Sequence, residues 1–395
     1  MSKLLFVHDH TFTLVSGVVY SSGAFPSWAW DRYLEAFSKV TVVARSKTVS
    51  SSFEPKNIDI SEKLGVEFKF FPSISNLSGL LFRGAGVGKE LRKLVSEHDA
   101  VVVRLSSELG LLAATHALEL NKKLAVELVD CPWDSYWNYG GWVAKAYAPV
   151  VTWRVKRAVK KADAVLYVTQ SFLQRRYPCA PDAMTVACSN VNLEEPQVAV
   201  LENRGARIRA RKDAIRTSPV IGQISSLTGR FKGVQVMIDI LPHLVKIYPN
   251  VKYKVLGAGD PTPFISQAKA LGVLENVEFC GTVPSGQPVL DWLADLDLYV
   301  HPSLKEGLPR GVIEAMSQGC PVVASSVAGT PELLPEYVLA RPGSARELLE
   351  RVRFVLSDDC DRFELSRMNF NKVKEYSSKI LQKRRVDFWK AFSNI

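Results

Sequence analysis

No two of the six cysteines stand in a Cys-x-x-Cys pair; Cys131, Cys179, Cys188, Cys280, Cys320 and Cys360 are scattered through 395 residues. That spacing excludes the common zinc modules and argues against a disulfide framework, so a reducing, cytoplasmic setting is expected. No apolar run reaches the ~18–20 residues that a transmembrane helix needs. The opening MSKLLFVHDH has too short an apolar stretch and too many polar residues for a secretory signal, and KLLFV reads as a first strand. No G-x-G-x-x-G follows that strand, which counts against a nicotinamide dehydrogenase. His8 and His10 lack a third ligand at a fitting spacing, so no metal site is expected. Low complexity and internal repeats are missing as well.

What remains is a globular composition, 47% apolar and 23% charged, in a chain longer than one core usually supports. Short β-branched runs alternate with helix-length patterns throughout. In the first half the strands are expected at 3–7, 39–44, 66–71, 100–104, 124–129 and 164–168; in the second, at 220–225, 252–257, 277–281, 298–302, 321–325 and 337–340. Buried strands separated by helices imply parallel sheets covered on both faces. The fold class expected is α/β, with two Rossmann-like domains whose parallel sheets face a central cleft. The domains are placed at 1–205 and 219–369, with a linker at 206–218. The C-terminal helix, 370–395, is left open between capping the second domain and completing the first.

The formal charge is +10. It permits an anionic partner without naming one. Two runs carry much of it: RVKRAVKK at 154–161 and NRGARIRARKDAIR at 203–216. Each reads first as a solvated helix face, and second, with Trp153 and Val155 interleaved, as an anionic membrane surface. Nucleic acid is not expected, because no binding module accompanies the charge.

The most informative stretch is HPSLKEGLPRGVIEAMSQGCPVVAS, 301–325, where Glu306 and Glu314 flank a Gly-Leu-Pro turn. Pro309 suits a helix start and Gly319 a helix end, between strands LYVHP and PVVAS. Glu306 then lies in the loop after a strand, and Glu314 about a turn and a half into the helix. The N–H groups from Gly307 to Gly311 make a seat for phosphate. Two carboxylates astride such a seat suit a nucleotide-sugar, one for the ribose diol and one for the sugar. Alone, two glutamates at this spacing would read as surface charge.

The longer string EGLPRGVIEAMSQGCPVVASSVAGTPELL closely resembles the signature of the retaining glycosyltransferases of sequence family four, which have the GT-B architecture. LGAGD, NVEFCGTVP, KADAVLYVTQSF and CSNVNL extend the likeness more weakly along the chain. By position, the resemblance implies that Glu314 holds the ribose and Glu306 the donor sugar. It puts the diphosphate at Gly307, Leu308 and Pro309, the base along Cys280, Gly281 and Val283, and Gly257 among the donor-binding residues, in a glycine loop after a strand. SSLTGRFKGVQVMI supplies Lys232 to neutralise the leaving diphosphate. The family's arginine is missing, since its place falls on Ser226 and Leu227; Arg230, two residues before Lys232, either substitutes for it, the reading preferred here, or faces solvent.

In the first half, Ser22 and Gly23 fall in a stretch read as an adaptable loop on the acceptor side, with Gly23 expected to allow close backbone approach. Trp28 and Trp30 suit a sugar platform or the core equally well. Asp130 occupies the place where the resembling family often has a histidine; it reads as a base, a sugar ligand or a loop cap. Trp133, Tyr136, Trp137 and Tyr139 form a candidate acceptor surface.

The function expected is transfer of a hexose-type sugar from a UDP- or GDP-sugar to a hydroxyl of a glycan, with retention and without a metal or other cofactor. The acceptor is expected to be lipid-linked, on a polyprenyl diphosphate, in surface polysaccharide or lipopolysaccharide assembly at the inner face of a membrane. A nucleotide-sugar epimerase or hydrolase of the same fold, and a non-catalytic sugar-binding scaffold, are the alternatives.

Overall fold

The computed structural model describes residues 2–21, 25–50, 58–74, 77–139 and 141–395. The chain divides into two units, Met1–Ser189 with Leu381–Ile395, and Asn190–Ile380.

Unit 1 is built on β1 (Lys3–Val15), β2 (Val18–Ser21), β3 (Lys39–Thr48), β4 (Asp59–Ile60), β5 (Val66–Phe70), β6 (Ala100–Leu105), β7 (Lys123–Leu128), β8 (Ala164–Tyr167) and β9 (Met184–Ala187). Among the described residues its parallel strands run β5-β3-β1-β6-β7-β8-β9. Leu4, Leu5, Val7, Val40, Val42 and Val101 to Val103 are fully buried, as strands covered on both faces must be.

The first strand runs well past the expected residue 7. Ser16 and Gly17, both at positive φ, make a two-residue turn that pairs Val15 with Val18, so the stretch read as a loop folds as a hairpin. The cue was VSGV, flanked by β-branched residues.

Unit 2 holds β10 (Val220–Ile224), β11 (Lys252–Leu256), β12 (Val277–Phe279), β13 (Leu298–His301), β14 (Val322–Ser325) and β15 (Leu339–Ala340). Their order is β12-β11-β10-β13-β14-β15, all pairs parallel. Counted from β10, this is the doubly wound order 3-2-1-4-5-6, with its switch point between β10 and β13.

The domain boundary falls at Ser189/Asn190, upstream of the expected linker at 206–218. The basic run there is only in part a solvated face: Arg209, Lys212 and Arg216 are exposed, and the other three arginines are engaged. Arg204, on the Val198–Ala210 helix, is buried and donates to the carbonyls of Leu293 at 3.1 Å, Leu296 at 2.6 Å and Gln318 at 3.0 Å. It thus satisfies carbonyls left over at the ends of two helices. Arg211 grips Asp297 through two bonds of 2.7 and 2.8 Å, and Arg207 joins it.

The C-terminal helix, Ser378–Asn394, belongs to unit 1 from Leu381 onward. Leu381, Arg385, Phe388, Trp389 and Phe392 recur at helical spacing and are buried. Trp389 packs on Tyr33, with ring centroids 5.1 Å apart.

Candidate active site

The carboxyl ends of β10 and β13 carry the groups singled out at 301–314. The Arg230–Lys232 turn follows β10, and Gly233 closes it at φ 75°. A Cβ on Gly233 would lie 1.8 Å from the Pro302 carbonyl oxygen, so only glycine allows the two loops to meet. They are then stapled: Leu304 N–H and Ser303 Oγ donate to the Phe231 carbonyl at 2.7 and 3.1 Å.

The staple brings Lys232 to Glu306. Its Nζ donates to Glu306 Oε1 at 2.6 Å, and His301 Nε2 donates to the same oxygen at 2.8 Å. Glu306 is 9% exposed. Burial alone would raise its carboxyl; His301 and Lys232 overcome that and hold it well below the usual carboxylate range. The His301 ring is fixed in turn by Tyr299, whose hydroxyl lies 3.4 Å from Nδ1.

The following helix, Arg310–Ser317, starts one residue later than expected, with Pro309 as its N-cap. Its first N–H groups have no intrahelical acceptor, the property expected of a phosphate seat. Gly307 accepts a 2.9 Å bond from Gly329 N–H, which ties this turn to the Gly-Thr-Pro-Glu loop after β14, and Leu308 is buried. Glu314 is half-buried on the same helix; burial pushes its carboxyl up, and Arg310 opposes the shift.

Gly257 ends β11 at φ 154°, where a Cβ would lie 1.9 Å from Ser225 O. Its N–H donates to Gly281 O at 2.7 Å, so the segment from Cys280 to Val283 borders the same edge. Ser226 bonds Thr228 rather than reaching toward Glu306. Arg230 is exposed; Lys232 and Lys305 both lie over the Phe231 ring, at 5.7 and 5.9 Å.

Unit 1 gathers a second polar cluster around the middle of β1 and the carboxyl ends of β6 and β7. Asp130 accepts from Ser106 N–H and Oγ at 3.3 Å each and from Ser135 Oγ at 2.8 Å, bridging the loops after β6 and β7. Asp9 caps the Glu108–Glu119 helix by accepting from Glu108 N–H at 2.7 Å. Glu108 is buried and accepts from Tyr147 OH at 2.9 Å and Arg154 Nη1 at 2.6 Å. Tyr136, half-buried, is shifted upward by burial and by the nearby Glu108. Burial and Arg104 pull His10 down to about 4, leaving a neutral ring.

Trp133 stacks on Trp137 at 5.3 Å, half-buried. Trp30 is core, its Nε1 donating to Ser61 O at 2.9 Å, whereas Trp28 is exposed. Ser22, Gly23 and the Tyr139 side chain lie outside the described residues. No cluster of three metal-ligating side chains occurs among the described residues.

His301, Lys305, Glu108 and Arg154 did not stand out in the sequence as site residues. His301 had a cue, a lone polar residue closing the apolar strand LYVH. Glu108 and Arg154, 46 residues apart, had none.

Two doubly wound units in one chain, with a buried, paired carboxylate at the switch point of the second, define a GT-B glycosyltransferase. Residues 218–358 match the family model described as "Glycosyl transferases group 1". Protein CapJ of Staphylococcus aureus is 32% identical over 356 residues, covering 90% of this chain and 87% of that one. The lipopolysaccharide glucosyltransferase WaaG of Escherichia coli is 27% identical over 190 residues, 47% of this chain and 50% of its own. Anabaena Alr3699/HepE, solved with UDP and glucose, superposes with TM-score 0.63 at 18% identity, covering 97% of this chain and 98% of that one. Sucrose-phosphate synthase from Thermosynechococcus elongatus superposes with TM-score 0.68 at 14% identity, over 99% of both chains. The chain belongs to the group 1 glycosyl transferases and is an enzyme of that class.

Proposed function

We propose that this enzyme moves a hexose-type sugar from a UDP- or GDP-sugar to a hydroxyl of a lipid-linked glycan, with retention, during surface polysaccharide assembly at the inner face of a membrane. One observation carries the reading: the Glu306 carboxyl is buried and held by His301 and Lys232 at the switch point of unit 2, which keeps it well below the usual carboxylate range. A carboxylate kept charged there can orient sugar hydroxyls, and Lys232 stands ready to neutralise a diphosphate.

In the proposed step the acceptor oxygen bonds to the anomeric carbon on the face that the nucleotide leaves. The bond from that carbon to the diphosphate oxygen breaks, and the acceptor proton passes to the departing phosphate. No protein nucleophile is required. Lys232, with Arg230 or Lys305, supplies the positive charge that a metal would otherwise bring, so a chelator is expected to leave the rate unchanged. Glu314 and the segment from Cys280 to Val283 would hold ribose and base. Asp130, Tyr136 and Trp133 would face the acceptor, Asp130 chiefly as a loop cap, since both of its oxygens are engaged.

A neighbour of this fold holds UDP and glucose, and a relative from Corynebacterium glutamicum is named as GDP-mannose-dependent; both nucleotides are therefore worth testing. Two relatives, amylovoran glycosyltransferase AmsK and WaaG, are named for polysaccharide and lipopolysaccharide synthesis, which supports the acceptor class.

The test is turnover by Glu306→Gln with a nucleotide-sugar panel. A loss of about 10²–10³-fold is expected in a variant that still folds, with a melting temperature lowered by the broken ion pair. Parent-level turnover by that variant would overturn the reading.

A further inference from the structure

Tyr299 and His301 stand two apart on β13, so the alternation of the strand puts both side chains on one face. Their rings are nearly parallel, with centroids 6.1 Å apart and 18° between planes, and both are buried. The Tyr299 hydroxyl accepts from Ile224 N–H at 3.4 Å and lies 3.4 Å from His301 Nδ1. A Cβ on Gly311 would come within 2.6 Å of that hydroxyl. Gly311 is the second residue of the phosphate-seat helix, so one hydroxyl joins that helix to the His301 ring.

The other ring nitrogen faces Glu306. His301 Nε2 and Lys232 Nζ reach the same oxygen, Oε1, at 2.8 and 2.6 Å. With Lys232 in place the carboxylate has its counter-charge, and a neutral imidazole donating from Nε2 completes the arrangement. That tautomer leaves Nδ1 to accept from the Tyr299 hydroxyl.

A diphosphate at the helix start competes with Glu306 for the Lys232 ammonium. Glu306 is 9% exposed, and a buried charge that loses its partner is strongly destabilising. His301 is placed to replace that partner by binding a proton at Nδ1. The tyrosine hydroxyl suits both states of the ring, since it can donate to a bare Nδ1 or accept from Nδ1–H.

We propose that His301 is a positioning residue for the donor: it takes up a proton as the diphosphate draws Lys232 away, and so keeps Glu306 charged and in place against the sugar. This rests on the donor reading above. The proton comes from solvent, and no covalent bond to carbon or phosphorus changes.

The groups around the ring come from each element packed on it. Glu306 stands in the loop after β13, and Lys305, its neighbour, lies over the Phe231 ring. Lys232 comes from the turn after β10. Glu314 on the helix and Cys320 before β14 act on Tyr299. Burial raises the Tyr299 hydroxyl and the Cys320 thiol, so both stay protonated at neutral pH. Glu314 is raised by burial as well, so the test separates its protons from those of His301.

The test is calorimetric titration of the intact enzyme with UDP-glucose and GDP-mannose at pH 7.5 in Hepes and in Tris, whose heats of protonation differ. The diphosphate of a nucleotide-sugar has no proton to exchange in this range, so a heat that varies with buffer counts protons taken up by the protein. The parent is expected to take up at least about 0.3 proton per donor bound, and its affinity to fall about threefold or more between about pH 6.5 and pH 8.5. H301Q still presents a donor to Glu306 but does not titrate, so it should take up none and bind with an affinity that is flat over the same range. In Y299F an Nδ1–H has no acceptor, so the uptake should fall by about half or more; this variant decides the matter if H301Q does not fold. Donor binding without proton uptake by the parent overturns the role of His301 and leaves the donor reading intact. Uptake that persists undiminished in either variant also overturns it, by giving the proton to another group such as Glu314. Absence of binding by either nucleotide-sugar to the parent removes the donor reading and this inference with it.

Discussion

Glu306 and Glu314 are eight positions apart in sequence and shifted in opposite directions by their surroundings. Glu306 lies below its ordinary range because two donors outweigh burial; Glu314 lies above it because burial outweighs Arg310. Linkage gives the two opposite signs. The depressed Glu306 contributes stability at pH values above the unfolded carboxylate pKa of about 4.3, lost as pH falls from there. His301→Gln removes one of its two donors, so acid unfolding of the variant is expected to begin at higher pH than in the parent. A pH series of thermal melts reads this directly. Glu314→Gln has the reverse effect on the free protein: it relieves a half-buried carboxyl of its desolvation cost and should raise the melting temperature at neutral pH by about 2 °C. That gain should accompany weaker donor binding, the signature of a residue kept for a ligand rather than for the fold.

Both glutamates stood out in the sequence through the longer string around them; at their spacing alone they would have read as surface charge. His301 was half-legible. The Glu108–Tyr147–Arg154 cluster was not, since its members meet only when three separate segments pack. Asp130 was legible as a polar residue after a strand, but its bonds to Ser106 and Ser135 depend on a neighbouring loop.

At the scale of elements, most strands were readable, because buried parallel strands are written as unbroken β-branched runs. The strand Met184–Ala187 was missed; it is short and only half-buried, without the apolar run that marks the others. The helix Val198–Ala210 misled for the opposite reason. Its arginines look like solvent charge, yet Arg204 binds three backbone carbonyls that sequence cannot locate. Arg204→Ala is expected to cost about 3 kcal/mol, since charged donors to buried acceptors are among the expensive bonds to lose. The corresponding segment experiment is sharper. Residues 190–380 should melt cooperatively as a folded piece; 219–369, cut at the boundaries read from sequence, should not. Circular dichroism of the two pieces decides it.

At the scale of the whole chain, unit 1 is closed by residues from the far end of the sequence. Trp389 is fully buried against Tyr33, whose hydroxyl donates to Glu127 at 2.5 Å on β7. Trp389→Ala should therefore destabilise unit 1 by about 3–5 kcal/mol. The melting temperature of unit 1 should fall, and donor binding by unit 2 should survive at temperatures where unit 2 stays folded.

The most direct measurement is calorimetric titration of the intact enzyme and of Glu314→Gln with UDP- and GDP-hexoses in the presence of a chelator. One nucleotide class should bind the parent without metal, and the variant should bind it at least about tenfold more weakly. Equal affinity in the two proteins, or no binding of either class to the parent, would contradict a donor held between these carboxylates.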